Sequence, residues 1–287
     1  MVLFLLPEKM RNLVLCKYNE SEIEEIRLRI GKKLMIKTDK LCELLEYTVD
    51  EEDIKITMQH ASNYSVYAYE EELRQGFITV KGGHRIGLSG QVVLEKGKIK
   101  TMKNVTSLNI RVAHDVKGCS DNLIDNLIKD NRVLNTLIIS PPGFGKTTLL
   151  RDIIYKISGM RKNVSVVDER GEIAACYNGV PQIDIGQCCD VMDGGTKSEG
   201  LIMMIRSMGP DVLAVDEIGS DLDISAIEKG LGSGCSVISS VHGKGIEDVV
   251  RNPVIKNSIF DRYIVIKKER GKRLFKMYDE AFRELEV

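Results

Sequence analysis

The stretch that decides the fold is SPPGFGKTTLL, from Ser140 to Leu150. The apolar run before it, which includes Leu137, Ile138 and Ile139, predicts a buried strand, and residues 147–156 predict a helix. A strand, a glycine-containing loop that ends in Gly-Lys-Thr and a helix are typical of a phosphate-binding loop. In that setting, successive backbone N–H groups and the positive end of the helix converge on one anion. The alternative is a Gly-Pro loop that contains Lys-Thr by chance.

The residues of this loop carry the predicted contacts with a nucleoside triphosphate. Lys146 is predicted to reach the β- and γ-phosphates, and Thr147 to place its hydroxyl on Mg²⁺. Ser140 occupies the position of the first glycine in the strict phosphate-binding-loop pattern, although Gly143 and Gly145 keep the turn flexible. The predicted nucleotide-binding residues are Pro142, Gly143, Phe144, Gly145, Lys146, Thr147 and Thr148.

Composition is that of an ordinary soluble protein large enough for two domains. The chain has 287 residues, of which 43% are apolar and 29% charged. Its net charge of −1 gives no general attraction to nucleic acid or to anionic lipid. We therefore expect no direct nucleic-acid partner.

Two further features favour a cytoplasmic location. The apolar run at residues 1–6 is too short for a signal peptide or a membrane span. The seven cysteines are an odd number and show no zinc-ligand spacing, so we interpret them as reduced thiols. Any contact with a membrane is then expected to come only through partners.

The first half, residues 1–113, predicts a smaller α+β domain. Residues 20–28 predict a short helix that passes into a strand, and Asp50 is predicted to cap a helix over 50–62. Alternating apolar residues then predict two hairpins, over 76–88 and 91–102. The boundary is placed where periodicity stops, after residue 113.

The second half, residues 114–287, alternates strands with helices. This order predicts an α/β fold with a largely parallel sheet and helices on its faces. Ser120 is predicted to cap a helix over 120–128, and a hairpin over 263–277 is predicted to close the chain. The remaining predicted elements are strands at 164–167, 212–215 and 235–239 and helices at 198–208 and 221–231.

The strands that end near 140, 168, 216 and 240 are expected to point the same way. Ligands collect at that edge of a parallel sheet. Hydrolysis of a nucleoside triphosphate needs a metal and a group that orients or deprotonates water. Asp216 is predicted to hold Mg²⁺, directly or through water, and Glu217 to act on the attacking water.

A second acidic group follows the strand at 164–167. Asp168, Glu169 and Glu172 raise one another's pKa unless a cation compensates, which predicts a metal or water site with Asp168 as a metal ligand. A solvated acidic turn is the alternative. His242 follows another strand end, where its ring could donate to a γ-phosphate or could be an ordinary histidine.

Three arginines are candidates to reach a bound phosphate. Arg206 lies on the helix before Pro210 and could face a neighbouring subunit. Arg85 lies in a glycine-rich hairpin, and Arg111 lies near the domain junction. For each of them a purely structural role is the alternative.

Several segments together resemble one superfamily of motors. They are SPPGFGKTT, VVDERGEI, EGLIMMIRSMGPDVLAVDEIG and SSVHG, and they are similar to the ATPases of type II and type IV secretion and of pilus motors. The first half, through SVYAYEEELRQGFITVKGGHRIGLSG and TSLNIRVA, resembles the stage III sporulation protein AA family of endospore-forming bacteria. The resemblance covers nearly the whole chain.

The resemblance implies a RecA-like P-loop ATPase domain that works as a homohexamer, with ATP at the subunit boundaries. It maps the acidic box onto Asp168, Glu169 and Glu172, the catalytic glutamate onto Glu217 and the histidine box onto His242. Two positions depart from the secretion pattern: Asp216 stands where a glycine is usual, and Arg170-Gly171 interrupts the acidic box. The implied partners are integral membrane proteins of a stage III sporulation channel complex, with the chain in the mother-cell cytoplasm.

Two other classes of function stay open. A RecA-like nucleic-acid motor predicts a basic groove with aromatic residues, whereas this chain is near neutral, lacks Trp and has 5% aromatic residues. A nucleotide-gated assembly scaffold would bind ATP with little turnover.

Overall fold

The computed structural model describes residues 2–62, 76–252, 255, 259–269 and 272–286. It divides into two compact units, Met1–His114 and Asp115–Val287. The boundary predicted from the sequence lies next to this division.

The first unit has a six-stranded antiparallel sheet. Its strands are β1 (Ile23–Arg29), β2 (Lys33–Thr38), β3 (Cys42–Thr48), β4 (Phe77–Val80), β5 (His84–Glu95) and β6 (Lys98–Arg111). They lie in the order β3-β2-β1-β6-β5-β4. Helices α1 (Glu8–Leu15) and α2 (Glu51–Ala61) belong to the same unit. Apolar side chains such as Ile26, Ile36 and Ile110 form a single buried cluster with residues of these helices.

The cap predicted for α2 is confirmed. The Asp53 backbone N–H donates to the Asp50 carboxylate, and the Asp50 N–H donates to the Asp53 carboxylate, both at 2.9 Å. This reciprocal pair is a capping box, which satisfies backbone donors that the first helical turn leaves unpaired. Both predicted hairpins are also present, as the pairs β4–β5 and β5–β6.

The helix predicted over residues 20–28 is wrong. Only Glu20–Glu22 form one turn of 3₁₀ helix, and β1 follows directly. The pairing of β1 with β2 shifts register between Ile23 and Glu25. An irregularity of this kind breaks the two-residue alternation of a strand, so Ile23 and Ile26 are both buried at a spacing of three, which imitates a helix.

The second unit contains an eight-stranded sheet. Its strands are β9 (Thr136–Ser140), β10 (Val164–Asp168), β11 (Cys189–Asp193), β12 (Val212–Glu217), β13 (Ser236–His242), β14 (Arg262–Glu269), β15 (Lys272–Tyr278) and β16 (Glu284–Leu285). The order is β11-β10-β12-β13-β9-β14-β15-β16. The first six strands in this order run parallel, whereas β15 and β16 pair in antiparallel fashion. The mixed α/β architecture with a large sheet is therefore confirmed.

Among the residues of this unit that the structure describes, four helices connect the strands. They are α3 (Lys146–Gly159), α4 (Lys197–Met208), α5 (Asp221–Gly232) and α6 (Ile246–Arg251). The first three agree with the helices predicted from the sequence, whereas α6 and the short strand β11 were not predicted. Within the described ranges, every helix falls short of the length and apolar character that a bilayer crossing requires.

The helix predicted after Ser120 is wrong, because Ile124–Leu127 form only a 3₁₀ turn. Ser120 instead donates from both its backbone N–H and its hydroxyl to Asp152 on α3, at 2.7 and 2.6 Å. A small hairpin follows, in which β7 (Ile128–Lys129) and β8 (Arg132–Val133) are joined by a turn through Asp130 and Asn131, both at positive φ.

Both strands of the predicted closing hairpin are confirmed as β14 and β15, but residues 270 and 271 of its turn lie outside the described residues.

Candidate nucleotide-binding site

The loop between β9 and α3 has the backbone conformation of an anion cradle. Gly143 and Gly145 have φ of 76° and 92°, the left-handed region that glycine adopts without strain. Gly145 is the N-cap of α3, and no side chain caps this helix end. The amides of the first helical turn are therefore available to an anion at the positive end of the helix. A Cβ placed on Gly143 would meet no atom within 4 Å, so the cradle is open there.

Three predicted residues meet beside this loop. The Lys146 Nζ lies 3.2 Å from Oε2 of Glu217, and the His242 Nε2 lies 2.9 Å from the same oxygen. Lys146 is only 9% exposed, so its charge is held inside the site. The three residues come from the start of α3 and the ends of β12 and β13.

Sheet order explains why these residues meet. β13 lies between β12 and β9, and all three strands run parallel, so their carboxyl ends share one edge. The β12–β13 pairing shifts register before Glu217, which lies opposite Ser240. The hydroxyls of Ser239 and Ser240 both donate to the Asp216 carbonyl, at 3.2 and 2.9 Å. These bonds hold the end of β12 against its neighbour.

Asp216 supplies a buried carboxylate at the same edge. The residue is 2% exposed. The pKa of Asp216 is raised to about 6, mainly by burial and also by the negative charges of Glu172 and Asp168, whereas Lys146 opposes the shift. A cation beside this carboxylate would offset the cost of its burial, so the position fits a metal ligand. Across the described part of the chain, no group of three or more His, Cys, Asp or Glu residues is arranged to hold a metal.

Asp168 is fully buried, and backbone groups engage its carboxylate. It accepts hydrogen bonds from the amides of Glu172, Ile173 and Ala174 at 2.8 to 3.0 Å. The carboxylate thus organises the loop that follows β10. The structure gives Asp168 this structural role, and the metal role that the sequence predicted for it stays a prediction.

The other two acidic residues have basic partners that sequence reasoning missed. Glu169 Oε2 lies 2.7 Å from Nζ of Lys197, which begins α4 and is 8% exposed. Arg151 donates from Nε and Nη2 to the backbone carbonyl of Glu172, at 3.2 and 2.5 Å. Arg151 lies four residues after Thr147, on one face of α3, and this spacing was the available signal. No comparable local signal marks Lys197.

The predicted arginines are not all in this unit. Arg85 and Arg111 belong to the first unit, where they lie opposite each other on β5 and β6. The Arg85 guanidinium also stacks on Phe77, 3.7 Å from the ring centroid. Arg206 is exposed in the last turn of α4. Their predicted action on a phosphate remains a prediction.

The fold and the loop define a class. A mainly parallel sheet, with the Gly-Lys-Thr loop after β9 and acidic residues at neighbouring strand ends, has the fold of the P-loop domains of secretion ATPases. The solved structure of the ATPase DotB from Legionella pneumophila superposes with a TM-score of 0.60 at 16% identity, over 90% of this chain and 77% of that one. The pilus retraction motor PilT, solved with bound ADP, gives 0.62 at 14% identity, over 94% and 81%.

The chain belongs to the family described as Sporulation stage III, protein AA, whose model matches residues 2–284. It is 43% identical over 278 residues to stage III sporulation protein AA of Bacillus subtilis (strain 168). That match spans 93% of this chain and 90% of the relative. The resemblance noted in the sequence is therefore confirmed at the level of the family and of the superfamily fold.

Proposed function

We propose that this protein is a Mg²⁺-dependent ATPase of the secretion-motor type that energises a membrane-bound channel complex during endospore formation. One observation carries the proposal: Lys146 and His242 both contact Oε2 of Glu217 beside the open phosphate-binding loop. This arrangement brings together a phosphate-binding cation, a carboxylate able to act on water and a hydrogen-bond donor.

Binding starts at the loop. The amides at the start of α3 and the Lys146 ammonium bind the β- and γ-phosphates of ATP. We expect Lys146 to move from Glu217 toward the phosphates, because a polyphosphate carries more negative charge than one carboxylate. ATP binding therefore frees the Glu217 carboxylate at the point where water attacks.

Hydrolysis then uses the freed carboxylate. Glu217 accepts a proton from the attacking water as the water oxygen bonds to the γ-phosphorus. The bond from that phosphorus to the β–γ bridging oxygen breaks, and ADP and inorganic phosphate leave. His242, released from Glu217, can donate to an oxygen of the γ-phosphate, where negative charge is stabilised in the transition state.

Thr147 and Asp216 are the residues that would hold Mg²⁺. When bound, Mg²⁺ neutralises part of the charge on the β- and γ-phosphate oxygens. Lys197 and Arg151 balance the carboxylates around this position, because Lys197 pairs with Glu169 and Arg151 lies among the charges of Asp168, Glu172 and Asp216. Burial lowers the pKa of Arg151.

The assembly follows the family resemblance. We propose a homohexamer in the mother-cell cytoplasm, recruited to the membrane by integral membrane proteins of the stage III sporulation channel complex. Arg206 of the second unit, and Arg85 and Arg111 of the first, are the residues proposed to act on a phosphate across a subunit boundary. The first unit is proposed to transmit the motion that hydrolysis drives.

Phosphate release by the full chain tests the function. We expect turnover of ATP in Mg²⁺, its loss in excess chelator, and no change when single- or double-stranded DNA is added. Stimulation by DNA would favour a nucleic-acid motor instead. Tight ATP binding with slow turnover that Glu217→Gln leaves unchanged would favour a nucleotide-gated scaffold. Light scattering with and without ATP measures the mass of the ring.

A further inference from the structure

We infer that Arg273 contacts the polyphosphate of a nucleotide bound at the loop of its own subunit. Arg273 is the second residue of β15, far along the chain from Lys146. The inference rests on the proposed function and adds to it a cationic residue that neither the loop motif nor the acidic strand ends contain.

The topology of the sheet brings Arg273 to the loop. β14 pairs in parallel with β9 through Val265 and Ile139, so its later residues extend beyond the end of β9. β15 begins at that extension and pairs Arg273 with Lys268 of β14. Because the loop starts where β9 ends, the first residues of β15 lie at the ligand edge of the sheet.

Contact with the loop is direct. A Cβ placed on Gly145 would lie 2.7 Å from Cζ, 2.9 Å from Nε and 3.0 Å from Nη2 of Arg273. The guanidinium therefore occupies the space that a side chain at position 145 would need. A side chain at position 145 is therefore disfavoured for two reasons, the positive φ of this residue and the space that Arg273 occupies.

A second observation places the same charge beside the first turn of α3. The Cys119 Sγ lies 3.7 Å from the carbonyl oxygen of Thr148. Burial raises the pKa of Cys119 to about 11, and the positive charge of Arg273 acts against that rise. Arg273 thus lies near both Gly145 and the turn that contains Thr148.

The chemistry of this side chain suits a phosphate. Arg273 is exposed, and among the described residues no carboxylate lies within ion-pair distance of its guanidinium. The planar guanidinium donates two parallel hydrogen bonds to phosphate oxygens, a geometry that lysine does not match. With Lys146 in the loop and Arg273 beside Gly145, two cations would face the bound polyphosphate.

Calorimetric titration of the full chain with Mg²⁺-ADP and Mg²⁺-ATPγS tests this inference. We expect Arg273→Ala to weaken both affinities about tenfold or more, and Arg273→Lys to recover part of the loss. Lys276→Gln removes a charge from the same strand three residues away and serves as the matched control, for which we expect wild-type affinity. Thermal unfolding without nucleotide should differ little among the four proteins, because Arg273 is exposed and the ion pair of Lys276 with Glu284 is a surface pair.

Wild-type affinity in Arg273→Ala would overturn the inference. Tighter binding in that variant would also overturn it, since it would show that the guanidinium competes with the nucleotide for the loop. If the wild-type chain itself binds neither nucleotide, the proposed function fails, and that result is distinct from a failure confined to Arg273.

Discussion

Lys146 and Glu217 form an ion pair, with 3.2 Å between Nζ and Oε2, and the proposed function gives each of them a different task. The pair holds the ammonium and the carboxylate in place while no phosphate is bound. In the proposed function, a triphosphate attracts the ammonium away from the carboxylate and leaves Glu217 to act on water. On this proposal, the ion pair couples occupancy of the loop to the availability of the carboxylate.

His242 should affect turnover more than binding. Its ring contacts the Glu217 carboxylate and lies outside the loop that carries the phosphate-binding amides. We expect His242→Asn to lower ATP turnover about tenfold to a hundredfold, the effect of one lost hydrogen bond to a charged group. Affinity for ADP should not change. Phosphate release and calorimetry measure the two quantities, and Lys244→Gln, an exposed change in the same loop, is the control. A loss of ADP affinity equal to the loss of turnover would contradict this role.

Asp168→Asn should destabilise the protein in the absence of any metal. Three backbone amides donate to the Asp168 carboxylate, and an amide side chain offers one acceptor oxygen in place of two. We expect a loss of ~2–4 kcal/mol in the free energy of unfolding. Urea unfolding with chelator present measures it. Asp193→Asn, at the exposed end of the neighbouring strand, should cost less than about 0.5 kcal/mol. Equal stability of Asp168→Asn and the wild type would contradict this structural role.

Asp216→Asn should have the opposite effect on stability. The folded-state pKa of Asp216 is raised to about 6, so its ionised form disfavours folding. The penalty is absent below the unfolded pKa of about 4 and is complete above about 6. Without Mg²⁺ or nucleotide, the variant should be more stable than the wild type at pH 8, by up to ~3 kcal/mol, and the difference should vanish near pH 4. Urea unfolding at the two pH values checks this, and an advantage that persists at pH 4 would contradict it.

His84 should make the first unit sensitive to acid. The residue is 5% exposed, and its Nδ1 accepts the Ala113 N–H at 3.1 Å. Burial lowers the pKa of His84 to about 4, so the unfolded chain binds the proton more readily. The stability that a neutral His84 contributes is present above about pH 6.5 and is lost as the pH falls toward 4.

Hydrogen exchange of the β6 amides between pH 7 and pH 4 measures this loss in the first unit. We expect up to ~3 kcal/mol more destabilisation in the wild type than in His84→Asn, which retains an acceptor but has no titrating ring. Identical pH dependence in the two proteins would show that His84 is not the titrating group.

Much of the site followed from local sequence patterns. The apolar strand patterns and the Gly-Lys-Thr loop predicted which strands end at one edge of the sheet. In the structure, β12, β13 and β9 pair in parallel and bring Glu217 and His242 to Lys146. These inferences need only the direction of strands and the type of residue at each strand end.

Other parts depend on contacts that local patterns do not encode. Arg273 and Lys197 reach the site through the order of strands in the sheet, which the alternation of helices and strands leaves open. The register shift in β1 gave an apolar spacing that imitated a helix. Ser120, which was predicted to cap a helix, instead donates a hydrogen bond to Asp152. In each case a long-range contact overrode the local preference.

The central claim is that one loop binds the triphosphate and that Glu217 hydrolyses it. The most direct test measures Mg²⁺-ATP affinity and single-turnover hydrolysis in the wild type, Lys146→Ala and Glu217→Gln. Lys146→Ala should lose affinity, whereas Glu217→Gln should bind ATP at least as tightly as the wild type and hydrolyse it about 10²–10⁴-fold more slowly. Equal affinity and equal hydrolysis in all three proteins would contradict the account.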